Sequence, residues 1–482
     1  MSDRQRFVVF IFLYAAYLYL NAIADFPAEV LSRSPVYPWS QVITPTVALL
    51  AVSCMVKPGL TRFMLLIAAS LVSYIYRAPS PGNHDLLGFI LESSFLATLL
   101  VWRLHQIREV GDLFRMWAPV GRSSLLILYL YAVFHKLNMD YFNPALSCGS
   151  VFVDLLRARP LSFLPEPGPF MRYGAILGSL VAETLIPVFL CLRGRALFGI
   201  LLGTCFHFGL GYHFFWHFTP MLFALYFLFV PAETLKDLKP HLSPELVKRH
   251  LPLVGILLGC VILLEGESRW LGWHSIQPWF VPDLNFETAF GWFPFLILSY
   301  TVVRTTLFLI RHDEASSPVE SLLPSFRPLL VFPLVVLVVG TFPYLGYSSM
   351  LSFTMFSGLR TENGISNHVW IPASAQISDN LGDVVQPLAF SPNLLPYLRV
   401  MERRTDLVGR IYPWLALRKL VEMAKNDGVK DIQLSFIHNS QKIDIKNAEL
   451  DPMFADEPSL VEQKLFKFRA GPEPGWAERC AY

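Results

Sequence analysis

Residues 123–147 read SSLLILYLYAVFHKLNMDYFNPALS and join an apolar segment to a basic pair. Leu, Ile, Tyr and Phe dominate the first half of this stretch, which is typical of a membrane-spanning helix. His135 and Lys136 lie near the end of the predicted helix, and Asn143-Pro144 predicts its break. An ammonium group in such a segment costs free energy unless it is paired, reaches water or gives up its proton. Lys136 is therefore the first candidate functional residue.

The composition of the whole chain is that of a polytopic membrane protein. Of its 482 residues, 54% are hydrophobic and 16% are charged, and the mean hydropathy of +0.45 is above the usual soluble range. The 39 Lys and Arg nearly balance the 37 Asp and Glu, so no basic surplus indicates nucleic acid as a partner. No CxxC spacing predicts a zinc or redox site. Cys148 and Cys480 alone lie outside predicted spans, and a disulfide between them is an open alternative.

A helix needs about 20 mostly apolar residues to span a membrane. Apolar segments that reach or approach this length recur along most of the chain. They are 7–24, 42–56, 62–76, 86–104, 121–142, 171–192, 196–212, 218–231, 250–266, 288–310 and 328–347. Several are short, so the prediction is nine to eleven spans. Basic residues fall in every second loop, which predicts a cytoplasmic N-terminus and outward-facing loops at 143–170 and 266–287.

The composition changes after residue 348, where charged residues become more frequent. Periodicity predicts an amphipathic helix at 413–425 and strands at 431–437 and 463–469. The predicted fold is an all-α polytopic membrane helix bundle over residues 1–348, followed by a small α+β soluble tail over 349–482. With an odd number of spans, this tail faces outward.

Three separate stretches bring polar residues to the same outward level of the predicted bundle. His84 lies where the fourth span begins, Lys136 near the outward end of the fifth, and His207 in the outward half of the seventh. A lysine deprived of water favours its neutral amine, which can act as a general base beside a hydrogen-bonding histidine. Taken singly, each has a structural alternative: Lys136 extending to the headgroups, His84 capping a helix, and His207 satisfied in the core.

Two acidic residues, Glu92 and Glu183, lie inside predicted spans, where a carboxylate needs a partner or a proton. Glu183 is predicted either to pair with a basic residue on a facing helix, to line a cavity, or to form a structural interhelical hydrogen bond. His213 and His217 have the i,i+4 spacing of metal ligands, but a di-iron membrane oxidase needs several such pairs. No metal site is therefore predicted.

Three sequence stretches carry a family resemblance. The order NHDLL, YAVFHKLNMDYF and CFHFGLGYHFFWHFTPMLFALYFLF resembles the membrane domain of vitamin K-dependent gamma-carboxylase and its relatives, the HTTM family. The stretch MFSGLRTENGISNH is similar to the end of bacterial members, and RTENGISNH is predicted to fold back on the outer mouth of the bundle. The resemblance covers about residues 5–365.

The resemblance implies a catalytic role for Lys136 as the base that deprotonates a vitamin K-like reduced quinone. His84 and His207 would then stabilise or position the deprotonated quinol. The candidate substrate contacts are Tyr131, His135, His213 and Glu183. Two departures from the family pattern are His135, where the carboxylase has a second lysine, and Asn138, where it has an acid. The tail is also shorter than the carboxylase's outer domain.

Two functional hypotheses follow from these residues. The first is a gamma-carboxylase-like membrane enzyme that oxidises or epoxidises a quinol or similar lipophilic substrate, with or without coupled carboxylation of a protein or peptide. The second is a non-catalytic membrane protein that binds a lipid or peptide or assists the maturation of a partner. Under either hypothesis the expected location is a bacterial cell membrane. A transporter is disfavoured because the polar residues gather on one side of the bundle and no inverted repeat is evident.

Overall fold

The computed structural model of the chain is a helical bundle that carries a small β-sheet near the C-terminus. It describes residues 2–26, 36–158, 166–211, 218–235, 293–312, 320–402, 407–471 and 479–480. The predicted span at 250–266, the predicted loop at 266–287 and the candidate residue His213 lie outside these ranges.

The bundle is built from helices that account for most of the described chain before residue 348. In chain order they are α1 (Asp3–Phe26), α2 (Ser40–Val56), α3 (Leu60–Arg77), α4 (Asn83–Leu104), α5 (Val110–Phe134), α6 (Met139–Phe142), α7 (Cys148–Ala158), α8 (Pro169–Cys191), α9 (Ala196–Leu210), α10 (Thr219–Phe227), α11 (Phe293–His312), α12 (Val331–Gly340) and α13 (Phe342–Leu345). Six of the described helices, α1, α3, α4, α5, α8 and α11, are long and apolar enough to cross a membrane. Shorter apolar helices occur at α2, α9 and α12.

Three predicted spans have different limits in the structure. The span predicted at 121–142 is α5, which begins at Val110 and ends at Phe134, before Lys136. The chain turns there because the Asn138 side chain donates to His135 O at 2.7 Å and accepts from Tyr141 N at 2.9 Å. The span predicted at 218–231 contains only the nine-residue helix α10. The span predicted at 328–347 is divided, since α12 ends at Gly340 and α13 begins at Phe342.

The centre of the bundle is α1, whereas α8 lies at its edge. In α1, 72% of the apolar window is buried, against 22% in α8. Aromatic side chains surround α1: the Phe10 ring lies 4.9 Å from Trp117 on α5 and 6.2 Å from Phe63 on α3. Edge-to-face and tilted ring pairs of this kind stabilise the packing beyond the apolar area that they bury.

The tail contains a four-stranded antiparallel sheet with the order β2-β1-β3-β4. Its strands are β1 (Val384–Phe390), β2 (Tyr412–Pro413), β3 (Leu434–His438) and β4 (Gln441–Ile445), and its helices are α14 (Leu395–Glu402), α15 (Trp414–Asn426) and α16 (Leu460–Leu465). The helix predicted at 413–425 is confirmed as α15, and the strand predicted at 431–437 corresponds to β3. The strand predicted at 463–469 is wrong, because a Ser459–Glu462 capping box starts helix α16 there.

Residues 349–371, here called the strap, connect the bundle to the tail and pack on the bundle. The strap residues Leu351 and Phe353 belong to the apolar core of the bundle. Asn83, at the start of α4, accepts hydrogen bonds through Oδ1 from Ser352 N at 3.0 Å and Phe353 N at 2.9 Å. The predicted domain boundary at 348/349 therefore falls where the chain enters the strap, and not where its contacts with the bundle end.

The tail is fastened to the bundle by two further connections. Cys148, at the start of α7, forms a disulfide with Cys480. Lys467 donates to Ser80 O at 2.7 Å, just beyond α3, and Lys464 donates to Ala78 O at 3.2 Å. Lysines suit the end of α3, since its last carbonyls carry partial negative charge.

Candidate functional site

A small cavity of about 40 Å³ lies between α5, α8, α9, α10 and the strap. Most of its wall is apolar, and the strap contributes Met355 and Phe356 to it. Four polar side chains also line it: Tyr129, Glu183, His207 and Thr219. An apolar wall with a few convergent polar groups is typical of a small-molecule site, and the present space holds a few water molecules at most.

Lys136 reaches the wall of this cavity through a buried ion pair with Glu183. The Lys136 ammonium donates to Glu183 Oε2, and the two residues are 4% and 6% exposed. The Lys136 Nζ also lies 5.8 Å from the centre of the Tyr141 ring. The alternative that Lys136 extends to the headgroups is therefore wrong. Glu183 fulfils two of its predicted roles, because it pairs with a basic residue and lines the cavity.

His207 is held in the cavity wall by a chain of hydroxyl groups. Its Nε2 and the Tyr129 hydroxyl share a hydrogen bond of 2.9 Å, and Tyr129 in turn hydrogen-bonds the Tyr226 hydroxyl. Gly203 makes this approach feasible, since a Cβ atom there would collide with the Tyr226 hydroxyl. Glu183, the ion-pair partner of Lys136, lines the same cavity as His207. The structure therefore brings together three predicted site residues, Lys136, Glu183 and His207.

His84 lies next to the cavity without lining it. Its Nε2 is 3.3 Å from Asn21 Oδ1 and 3.5 Å from Asp85 Oδ2. Its ring lies 5.6 Å from the Phe218 ring, which also contacts the His207 ring at 6.1 Å. One aromatic side chain therefore links the two histidines, and contact between His84 and a ligand in the cavity would require Phe218 to move.

Tyr131, on α5, and His135, directly after its end, lie away from the cavity. Their partners are residues of α12, α13 and the strap. The Tyr131 hydroxyl donates to Leu337 O at 2.5 Å. His135 Nε2 donates to Ser352 O at 3.0 Å, and its Nδ1 accepts from the Tyr344 hydroxyl at 2.7 Å. Both ring nitrogens of His135 are therefore engaged, and neither predicted substrate contact is in the cavity wall.

The segment containing RTENGISNH folds back on the bundle, where it packs on the turn that carries Lys136. Met139 N donates to Asn367 O at 2.9 Å, and Val369 N donates to Leu137 O at 2.9 Å. Arg360 forms an ion pair with Asp140 at 2.6 Å. The strap therefore fixes the turn after α5 and, through it, the position of Lys136.

Sequence reasoning missed the two tyrosines and the strap residues of the site. Tyr129 precedes Lys136 by seven residues, about two helical turns, so helical periodicity predicts a shared face. Tyr226 and Met355 lie in two stretches that carry the family resemblance, but no local pattern places them at the site, because their positions depend on how α10 and the strap pack.

Within the described ranges, no group of three or more His, Cys, Asp or Glu residues comes together as metal ligands would. Comparison of the chain with protein-family models, curated protein sequences and solved structures gave no match. A function has to be inferred from the residues of the site.

Proposed function

We propose that this chain is a multi-pass membrane enzyme of the gamma-carboxylase-like HTTM type that oxidises or epoxidises a quinol or similar lipophilic substrate, with or without coupled carboxylation. The observation that carries the proposal is the buried Lys136–Glu183 pair at the wall of a mostly apolar cavity. Small-molecule sites have volumes of about 300 to 1,000 Å³, so this cavity of about 40 Å³ has to widen when a quinol binds. The polar groups at one wall suit the hydroxyl group of such a ligand.

The pair can store and accept a proton. As an ion pair, Lys136 is already protonated and cannot act as a base. Transfer of that proton to Glu183 Oε2 along the existing hydrogen bond gives a neutral amine beside the cavity. Lys136 Nζ then accepts the proton of the substrate hydroxyl, while Tyr129 keeps the His207 ring oriented. A quinol deprotonated in this way is the species that oxygen attacks; the chain supplies the base and the mostly apolar cavity.

Membrane insertion, with the N-terminus in the cytoplasm and the tail outside, is part of the same proposal. Three large apolar side chains on α8 are about half exposed: Leu177 (53%), Val181 (55%) and Val188 (44%). Apolar surface of this extent is explained by contact with lipid. The Cys148–Cys480 disulfide supports an outward location for the tail, because disulfides persist in oxidising compartments.

One observation favours the second candidate function, a protein that binds a lipid or peptide or assists a partner's maturation. Lys136 and Glu183 neutralise each other, as they would in a purely structural tie between α5 and α8. A structural pair has no need to exchange its proton with a ligand. The two candidates therefore differ in whether Lys136 is needed for turnover.

The deciding experiment measures consumption of a reduced naphthoquinol, with detection of its epoxide, by the purified protein in lipid. We expect Lys136→Met to lower the rate by about 100-fold or more, the usual contribution of a positioned base. Lys442→Met removes an exposed lysine of the tail and is the matched control, with the rate of the parent.

Lys136→Met/Glu183→Leu removes both charges, so a loss of activity in this variant cannot be assigned to an unpaired buried carboxylate. Background turnover by the parent, or equal turnover by the parent and both variants, refutes the quinol proposal and leaves the binding role.

A further inference from the structure

Helix α16 of the tail exposes three apolar side chains: Leu460 (73%), Val461 (53%) and Leu465 (37%). Together with Lys464 they have the spacing i, i+1, i+4 and i+5, which places all four residues on one side of a helix. The other two residues of α16, Glu462 and Gln463, are polar and lie on the opposite side. The helix is therefore amphipathic, and its apolar side is not buried among the described residues.

Contacts at both ends of α16 fix the direction in which its apolar side points. Lys464 Nζ donates to Ile75 O at 3.3 Å and to Ala78 O at 3.2 Å, at the C-terminal end of α3. Phe466, which follows α16, belongs to the core of the tail, where its ring lies 5.8 Å from the Phe342 ring. Because Lys464 shares its side with the three apolar residues, these residues lie around the end of α3.

Helix α3 presents exposed apolar side chains up to the same point. Leu65, Val72 and Ile75 are each more than half exposed, and spacings of seven and three residues place them on one side of the helix. This helix is long and apolar enough to cross a membrane, and only 33% of its apolar window is buried. Ile75 thus ends the exposed apolar side of α3 and also accepts the hydrogen bond from α16.

Two aromatic residues lie at this same level. Tyr76 follows Ile75 in α3, and its hydroxyl accepts a hydrogen bond of 3.1 Å from the backbone N–H of Trp39. Trp39 directly precedes α2 and is 67% exposed. Trp and Tyr are enriched where a membrane meets water, because their rings are apolar and carry a polar group at one end. A membrane boundary at Trp39 and Tyr76 would place α16 in the headgroup layer.

We propose that α16 anchors the tail to the surface of the membrane, with Leu460, Val461 and Leu465 inserted into the lipid. This inference rests on the membrane insertion proposed above and does not depend on the quinol chemistry. Helices that lie in a membrane surface bury their apolar side about 5–10 Å into the boundary between headgroups and acyl chains. A lipid surface fits better than a protein partner, because the apolar side of α16 meets the apolar side of α3 at Ile75.

The test measures the depth of nitroxide labels by electron paramagnetic resonance, with the whole protein in nanodiscs of phosphatidylcholine. The labels are attached at Val461→Cys on α16, Val181→Cys on α8 and Lys442→Cys on β4, one per protein. Alanine replaces the three free cysteines, Cys54, Cys191 and Cys205, and the disulfide is kept. Oxygen concentrates in lipid and a nickel chelate stays in water, so their collision rates with a label report its depth.

We expect the label at position 461 to lie about 5–10 Å into the headgroup boundary. The label at 181 marks the lipid interior, and the label at 442, which replaces an exposed lysine, marks water. Leu460→Cys provides a second label on the same side of α16, and both positions should give the same depth range.

Three outcomes overturn the inference. If the labels on α16 collide with nickel as often as the label at 442 while the label at 181 stays in lipid, α16 lies in water and membrane insertion still holds. If the α16 labels are shielded from both reagents, a protein surface covers α16 instead of lipid. If the label at 181 is also in water, the membrane proposal fails together with this one.

Discussion

Removal of Lys136 alone should destabilise the bundle strongly, because it leaves the buried Glu183 carboxylate without its partner. The pair is 4% and 6% exposed and joins the turn after α5 to α8. Helix α8 has few other buried side chains: Ile176, Ile186 and Leu190. Breaking a buried ion pair by removing one partner costs about 3–5 kcal/mol, whereas replacing both partners by apolar residues is close to neutral. We therefore expect Lys136→Met and Glu183→Leu each to lower the free energy of unfolding by about 3–5 kcal/mol.

The double variant Lys136→Met/Glu183→Leu should recover most of that loss. The assay is reversible unfolding in mixed micelles by titration with sodium dodecyl sulfate, followed by tryptophan fluorescence, for the parent, both single variants and the double variant. The coupling free energy of this cycle is expected to be about 3 kcal/mol or more.

Two results refute the reasoning about the pair. One is a coupling free energy within about 0.5 kcal/mol of zero, because mutations at independent sites add to within that amount. The other is a loss below about 1 kcal/mol for each single variant, which is the value of an exposed pair. A stable double variant without quinol turnover separates the pair's contribution to stability from its role in catalysis.

Three further predictions concern the strap, the tyrosine chain and the tail. Burial lowers the pKa of His368 below its usual 6.5, and its Nδ1 accepts two backbone N–H groups. His368 therefore stabilises the docked strap fully above pH 6.5, and this contribution is lost as the pH falls through the lowered pKa. Hydrogen exchange of the strap measures this pH dependence, which His368→Gln should abolish. Gly203→Ala displaces Tyr226 and lowers stability by about 1–3 kcal/mol in the same unfolding assay, whereas Gly209→Ala, with open space at its Cβ position, does not. In denatured protein, reduction exposes two additional reactive thiols in the parent and none in Cys148→Ser, as mass-tag labelling would show.

The helical class and most helix positions could be predicted because apolar runs of about 20 residues have few alternatives to a helix. The predicted helix boundaries were wrong where side-chain contacts determine them. For example, α5 ends before Lys136 because the Asn138 side chain hydrogen-bonds the backbone of the turn. The stretch 463–469 alternates like a strand but begins in helix α16, since the Ser459 capping box outweighs the alternation. Local patterns do not contain these competing contacts.

For the site, the sequence by itself determined that Lys136, Glu183 and His207 are polar groups in apolar surroundings, because burial of such groups is costly wherever they pack. Only the tertiary structure decided which of them meet. The Lys136–Glu183 pair forms only if α8 lies beside α5. The Tyr226 hydroxyl can approach α9 only where Gly203 leaves out a side chain. Contacts between elements far apart in the chain depend on helix packing, and that geometry is not a local property of the sequence.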